Sequence, residues 1–435
     1  LDKHKQKYPN EAPGLHGGEP LLIKKEDMRT MFAEMEKRWP NDTYHIQTNA
    51  TLIEDEHVEI FNEYGVHLGI SCDGPPELNT ERKAAGERGT ESDSATNSMS
   101  ERTNDAIFKY AKQGVSIGII TVLHKTNAGT EERFETLLEW IDELNQVGVS
   151  GHFNPAIPYE DVQEDISLAP ATLKDRFLRT WEWMKQEPHR EWDPMGQYVD
   201  NLLGNGLQDC VNAECNVFNA GAAKIIKGDG GTTGCGKTWS AVGDGVPFLQ
   251  GIENDSEYDE VNARYRSLIQ TPGPYTEDEP DMGGCKGCKY WNVCKGGCPS
   301  SGVDYDYRNR TIWCEAKYAL YEKIEQDIRA ILPNVRLITD YPWDKDFSGF
   351  ESRHTLDIKP FEGVRPGSDT PSAAYGGGGV KGERPYKHEG DKFGSWQEMR
   401  DYYVDKYGED AVEVDHERQV VHADQGRDSG WEEVD

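Results

Sequence analysis

CKGCKYWNVCKGGC (285–298) is the stretch on which the reading of this chain turns. Its spacing is Cys285-x2-Cys288-x5-Cys294-x3-Cys298, and Cys314 follows after fifteen residues. Upstream, Cys210-x4-Cys215 leads through fourteen residues to Gly230 and through four more to Cys235. Of nine cysteines, eight fall between 210 and 314. Eight thiolates are what two four-cysteine metal sites require, and CxxC pairs suit zinc and iron–sulfur alike. Disulfides are the poorer reading, because disulfide scaffolds are short secreted chains and this one has 435 residues. Its first residues, LDKHKQKYPN, lack the apolar core of an export signal. Cys72 stands alone at a strand end and is expected to be a small buried hydrophobe.

Toward the N-terminus the pattern changes. HLGIS (67–71), VSIGIITVL (115–123) and VSGHFNPAI (149–157) read as buried parallel strands. Between them lie helices: EDMRTMFAEMEKRW (26–39), RTNDAIFKYAKQG (102–114) and TEERFETLLEWIDELNQVG (130–148). The first carries Met28, Met31, Phe32 and Met35 on one face, and the last closes on Gly148. Such alternation predicts βαβ units and a parallel sheet, either doubly wound or closed as a barrel. Residues 87–101 are polar and read as a surface loop. A helical stretch is expected over 171–203, with Trp181, Trp183 and Met184 packing inward.

From 207 to 316 the chain is rich in glycine, as a region organised by metal rather than by an apolar core would be. EAKYALYEKIEQDIRAIL (315–332) reads as a closing amphipathic helix. Beyond it come a linker-like SDTPSAAYGGGGVKGERP (368–385), a helix SWQEMRDYYVDKYG (395–408) and a hairpin AVEVDHERQVVHAD (411–424).

Charge narrows the partners. Lys and Arg number 47 against 79 Asp and Glu, a net charge of −32 that repels phosphate backbones. Nucleic acid and anionic membrane are therefore poor partners. No run approaches the ~18 apolar residues of a membrane span.

The pattern C-x14-G-x4-C followed by C-x2-C-x5-C-x3-C and a distant cysteine closely resembles the SPASM domain of radical SAM enzymes. Those include the anaerobic sulfatase maturases and many enzymes that modify ribosomal peptides. HGGEPLL (16–22), QTNATLI (47–53) and ISCDGP (70–75) resemble three successive strand ends of the radical SAM barrel. The resemblance implies an α/β fold: a partial (β/α)6 barrel beginning near its second strand, then the cysteine-rich SPASM domain and a small α+β C-terminal module. The expected boundaries are 1–206, 207–332, an extension and linker over 333–389, and the small module over 390–435.

The resemblance also implies two auxiliary [4Fe–4S] clusters with interleaved ligands. Cys210, Cys215, Cys235 and Cys298 would hold the first; Cys285, Cys288, Cys294 and Cys314 would hold the second. S-adenosylmethionine would meet Gly17, Gly18 and Glu19, with Asn49, Ser71 and Arg82 at neighbouring strand ends. The implied chemistry is modification of a peptide or protein side chain by a 5′-deoxyadenosyl radical. It would be fed by an electron donor such as flavodoxin or ferredoxin, in the cytoplasm, with a homo-oligomer left open by the residues.

Two departures stand out. The CxxxCxxC that holds the radical cluster is absent, since no cysteine precedes Cys72. A truncated N-terminus accounts for that absence, for the leading Leu and for the short approach to HGGEP; a third cluster is expected only if a missing segment supplies the motif. The rival is a catalytically inactive iron–sulfur or zinc scaffold. Second, Gly236 follows Cys235 where sulfatase maturases place a basic aspartate, which points away from formylglycine formation toward another peptide chemistry. Asp209, Glu214, Lys237 and Tyr290 are the nearby candidates for acid or base.

Overall fold

The computed structural model describes residues 1–7, 9–10, 12–82, 93–158, 166–204, 264–274 and 281–341, and the short strands over 225–226, 232–233, 412–415 and 420–423. From the N-terminus run α1 (Asp2–Lys7), α2 (Lys25–Glu36), β1 (Tyr44–Thr48), α3 (Asp55–Tyr64) and β2 (Val66–Ser71). They are followed by α4 (Asp93–Ala111), β3 (Ile117–Leu123), the one-turn α5 (Lys125–Ala128), α6 (Glu131–Gln146) and β4 (Ser150–Pro155). Then come α7 (Pro170–Met184), α8 (Met195–Leu203) and the ribbon of β5 (Ile225–Ile226) with β6 (Thr232–Thr233). Last are α9 (Trp291–Cys294), α10 (Cys314–Ile331) and the antiparallel pair β7 (Val412–Asp415) and β8 (Val420–Ala423).

β1 to β4 pair in chain order and all in parallel. Both edges are extended by single residues. Leu15 bridges Ile46 in parallel, donating to His45 O at 2.8 Å and accepting from Gln47 at 2.9 Å. At the other edge Asp193 bridges His152 through bonds with Phe153 and Gly151, each 2.9 Å. The chain just before HGGEP thus enters the sheet one place ahead of β1, as the sequence predicts for a barrel entered at its second strand.

The two faces of the sheet differ, and the difference chooses between the two architectures. Side chains alternate along a strand, and partners in register share a face. Ile46, Leu68, Ile70, Ile119 and Phe153 form one apolar face and are fully buried. They pack with Met28, Phe32 and Met35 of α2, Phe61 of α3, Ile107 of α4 and Leu137 and Ile141 of α6. The other face carries His45, Gln47, His67, Gly69, Ser71, Gly118, His152 and Asn154, with Ile120 and Val122 as its apolar members. A doubly wound sheet covers both faces with helices and is apolar on both. Here only one face is continuously apolar, and the more polar one suits the interior of a partial barrel.

Three expectations are corrected. The polar stretch 93–101 is helical, because α4 begins at Asp93. Ser100 is buried within it, donating to the Asn79 carbonyl at 3.1 Å, so its polarity serves an internal contact. The helix over 171–203 is two helices, α7 and α8, because the intervening chain leaves helix to lay Asp193 beside β4 and bury Trp192 against Phe153. The segment before α10 does have apolar substance: Tyr265, Leu268, Tyr290, Trp291, Val293 and Trp313 are all buried. Trp181 is buried as expected, and its indole donates to Asp327 of α10 at 2.8 Å. Gly148 takes φ 78 just beyond α6, the left-handed position that suits glycine. The C-terminal hairpin is present as β7 and β8, while the helix over 395–408 and the linker over 368–385 lie outside the described residues. Among the described residues no helix is long and apolar enough to cross a membrane.

Candidate functional site

At the C-terminal ends of the parallel strands the predicted residues form three linked contacts. Gly17 (φ 88) and Gly18 (φ 58) both need the left-handed region, and a Cβ on either would meet nothing within 4 Å. Open space therefore lies beside this backbone. The next residue, Glu19, reaches across to the end of β1. Its Oε1 accepts from the Thr48 hydroxyl at 2.5 Å and from Leu21 N–H at 3.1 Å, and its Oε2 accepts from Asn49 N–H at 3.1 Å. Asn49 thus takes part through its backbone, since its side-chain oxygen accepts from Thr51 N–H and O–H. Ser71, at the end of β2, accepts from the Gln47 amide at 2.8 Å.

Arg82 is paired, and its partner Asp73 belongs to the ISCDGP motif. Its guanidinium donates to Asp73 Oδ1 at 2.7 Å. The same oxygen accepts from Val122 N–H at 2.8 Å, and Asp73 Oδ2 lies 3.6 Å from His124 Nε2. Burial alone would raise the Asp73 carboxyl, but Arg82 and then His124 outweigh it and hold the group below its ordinary value. Asp73, Thr48 and Gln47 lack any signal of periodicity or spacing; only the tertiary pairing exposes them. Cys72 is the buried hydrophobe expected, its thiol pushed up to about 12 by burial.

The cysteine-rich segment forms a separate site. Cys285, Cys288, Cys294 and Cys314 line one cavity together with Tyr290, Trp291, Gly296, Arg310, Thr311, Tyr318 and Tyr321. Cys314 opens α10, and Cys294 closes α9. A set of polar clamps holds the surrounding loops. The buried guanidinium of Arg264 donates to the carbonyls of Tyr307, Asn309, Gly296 and Gly297. Gly297 (φ 69) must be glycine, because a Cβ there would stand 2.5 Å from Thr311 Cγ2.

Cys298 faces elsewhere, into a second cavity with Pro155, Ile157, Phe177, Ser301, Trp313 and Lys317, and its sulfur lies 2.8 Å from the Ser300 hydroxyl. That cavity adjoins the end of β4. Cys210, Cys215 and Cys235, expected beside Cys298, lie outside the described residues.

The described cysteines are free thiols. Burial, then the charges of Cys288 and Cys314, push Cys285 well above the ordinary thiol range; burial and Cys314 push Cys288 up to about 12. Two such buried thiols side by side do not ionise unless a cationic centre compensates them, as it does in a metal-binding thiolate set. Among the described residues no three His, Cys, Asp or Glu side chains are gathered to hold a single metal ion. The four cysteines are brought together as the lining of one cavity. Tyr290 is no base: burial, then Glu325, raises its phenol, which donates to Glu325 at 2.9 Å. Asp209, Glu214 and Lys237 lie outside the described residues.

No family model matches the chain. Over 326 residues it is 23% identical to a cysteine-type anaerobic sulfatase-maturating enzyme of Clostridium novyi, covering 71% of this chain and 78% of that protein. It is also 23% identical over 321 residues to a serine-type anaerobic sulfatase-maturating enzyme of Bacteroides thetaiotaomicron, covering 66% and 68%. A shorter match, 40% identical over 73 residues, links it to an uncharacterized protein of Methanothermobacter thermautotrophicus; it spans only 16% of this chain and 28% of that protein. Among solved structures, native anSMEcpe with bound AdoMet and Cp18Cys peptide superposes with a TM-score of 0.52 at 18% identity, covering 74% of this chain and 86% of that one. The chain therefore resembles the anaerobic sulfatase-maturating, radical SAM/SPASM enzymes in sequence and has their fold.

Proposed function

We propose that this protein is a radical S-adenosylmethionine enzyme of the SPASM type that modifies a peptide or protein side chain. The observation that carries the reading is the convergence of Cys285, Cys288, Cys294 and Cys314 on one cavity in a chain with this barrel. These four would hold one auxiliary [4Fe–4S] cluster, and Cys298 with Cys210, Cys215 and Cys235 a second. When bound, S-adenosylmethionine and a further [4Fe–4S] cluster on a CxxxCxxC, a motif not present in this sequence, would supply the one-electron chemistry that removes a substrate hydrogen, while the auxiliary clusters would pass electrons or bind substrate.

The chain's own groups have definable tasks. Gly17 and Gly18 leave room for close backbone approach, and the Glu19 carboxylate, pinned by Thr48 and Asn49, is oriented to accept from the ligand's ammonium. Ser71 and Arg82 bound the ribose side, each fixed by a partner, Gln47 and Asp73 respectively. Strand C-termini are where barrel enzymes place such groups. Peptide substrate, a soluble electron donor of the flavodoxin or ferredoxin kind and a cytoplasmic location complete the proposal. Gly236 in place of an acidic residue supports a chemistry other than formylglycine formation.

The test is anaerobic purification followed by metal and sulfide analysis, with S-adenosylmethionine binding measured on the same sample. About eight iron and eight sulfide per chain, bleaching with dithionite, are expected for two auxiliary clusters. A colourless protein with two zinc atoms overturns the proposal. Clusters without S-adenosylmethionine binding would instead make the chain a cluster-bearing scaffold.

A further inference from the structure

Arg310 lines the cavity of Cys285, Cys288, Cys294 and Cys314, and it is 9% exposed. Its position is fixed twice over. The backbone N–H donates to Gly283 O and the carbonyl accepts from Val303 N–H, each at 2.9 Å. The side chain is anchored by Nη2 to Asp281 at 2.5 Å, and Asp281 in turn accepts from Gly283 N–H at 3.0 Å. That leaves Nε and Nη1 buried with no hydrogen-bond partner in the structure. A buried charged donor without an acceptor is costly, so its persistence on a rigid loop implies an anion in the space it faces. Cysteine thiolates around a metal centre carry such a charge.

We propose that Arg310 is the outer hydrogen-bond donor to an anionic iron–sulfur cluster held by Cys285, Cys288, Cys294 and Cys314, and that it raises the reduction potential of that cluster. The inference rests on the function proposed above. Reduction adds negative charge, and a fixed guanidinium beside the cluster stabilises the reduced form more than the oxidised one. Arginine suits the task better than lysine because one edge of its planar fork grips Asp281 while two donors remain aimed elsewhere. Arg310 touches no substrate in this account; it positions and tunes.

The experiment is an EPR-monitored redox titration of the cluster-loaded full chain, with the signal of this site assigned by its loss in Cys288→Ser. In Arg310→Met the ratio of reduced to oxidised cluster at a fixed potential is expected to fall about tenfold, equivalent to 59 mV for one electron. Arg310→Lys should fall less, since it keeps the charge and loses the fork. Arg310→Gln, closer in shape and still an N–H donor, takes the place of Arg310→Met if that variant does not fold. An unshifted ratio in a loaded Met or Gln variant overturns the inference and leaves the proposed function standing. A wild-type protein that holds zinc and no iron overturns both.

Discussion

The sheet and the cysteine-rich segment are built with a different balance of packing and polar clamps. In the first, continuous apolar faces do the work: Ile46, Leu68, Ile70, Ile119 and Phe153 meet a helical layer led by Phe32, Phe61 and Leu137. In the second, a smaller buried set that includes Trp291 and Trp313 is tied together by point contacts, among them Arg264 on four carbonyls and Glu325 accepting from Tyr290, Lys289, Arg329 and Thr339. Removing a packed side chain leaves a cavity that the whole core feels, whereas removing a clamp strands only the groups it held. The two regions should therefore respond differently to single changes.

The largest effect is expected in the sheet. Phe153 is fully buried on β4 against Trp192, and Phe153→Ala should cost about 3–5 kcal/mol in denaturant unfolding. A cost below about 1 kcal/mol would mean that the apolar face is not what holds the barrel. Next comes Arg264→Met. It strands several buried carbonyls at about 1–3 kcal/mol for an unsatisfied group, and the damage should stay local. Hydrogen exchange should rise over 283–311 while amides of β1 to β4 remain protected. Uniform loss of protection would show the two regions to be one cooperative unit.

Asp73 probes the strand ends by pH. Its carboxyl is held below the ordinary value of about 3.9, so it stabilises the folded state fully above that value and loses the contribution as pH falls through its depressed native value. In Asp73→Asn the slope of stability against pH should flatten in that acid window, and stability at neutral pH should drop by about 1–3 kcal/mol as the Arg82 and Val122 contacts lose their charged acceptor. Parallel acid titrations of the two proteins would show Asp73 to be uncoupled from folding.

The same contrast explains what could be read in advance. Helix α2 was legible because Met28, Phe32 and Met35 recur at helical spacing and all three are buried. The strands were legible as apolar runs, and the cysteines as a spacing. The helical start of α4 was hidden by polarity, since Ser100 turns inward for a hydrogen bond and not for burial of an apolar group. The break before α8 depends on Asp193 pairing with β4, a contact across 41 residues of sequence, from 152 to 193. Arg310 with Asp281, and Asp73 with Val122 and His124, are likewise pairings between distant positions, invisible to any period. Spacing identifies ligands; it does not identify what holds them.

The smallest effect on stability should come with a selective effect on binding. At Gly18 an added Cβ meets nothing within 4 Å, so Gly18→Ala has no clash to relieve. At φ 58 alanine sits in the left-handed region, a cost of about 1–2 kcal/mol. The sheet, held elsewhere by its apolar face, should absorb that cost without unfolding. If S-adenosylmethionine seats against this backbone, its affinity should fall about tenfold, the equivalent of about 1.4 kcal/mol. Calorimetry on folded wild-type and Gly18→Ala proteins checks both numbers. Equal affinities would move the ligand away from Gly17 and Gly18 and leave Glu19 a structural clasp between the first strand end and β1.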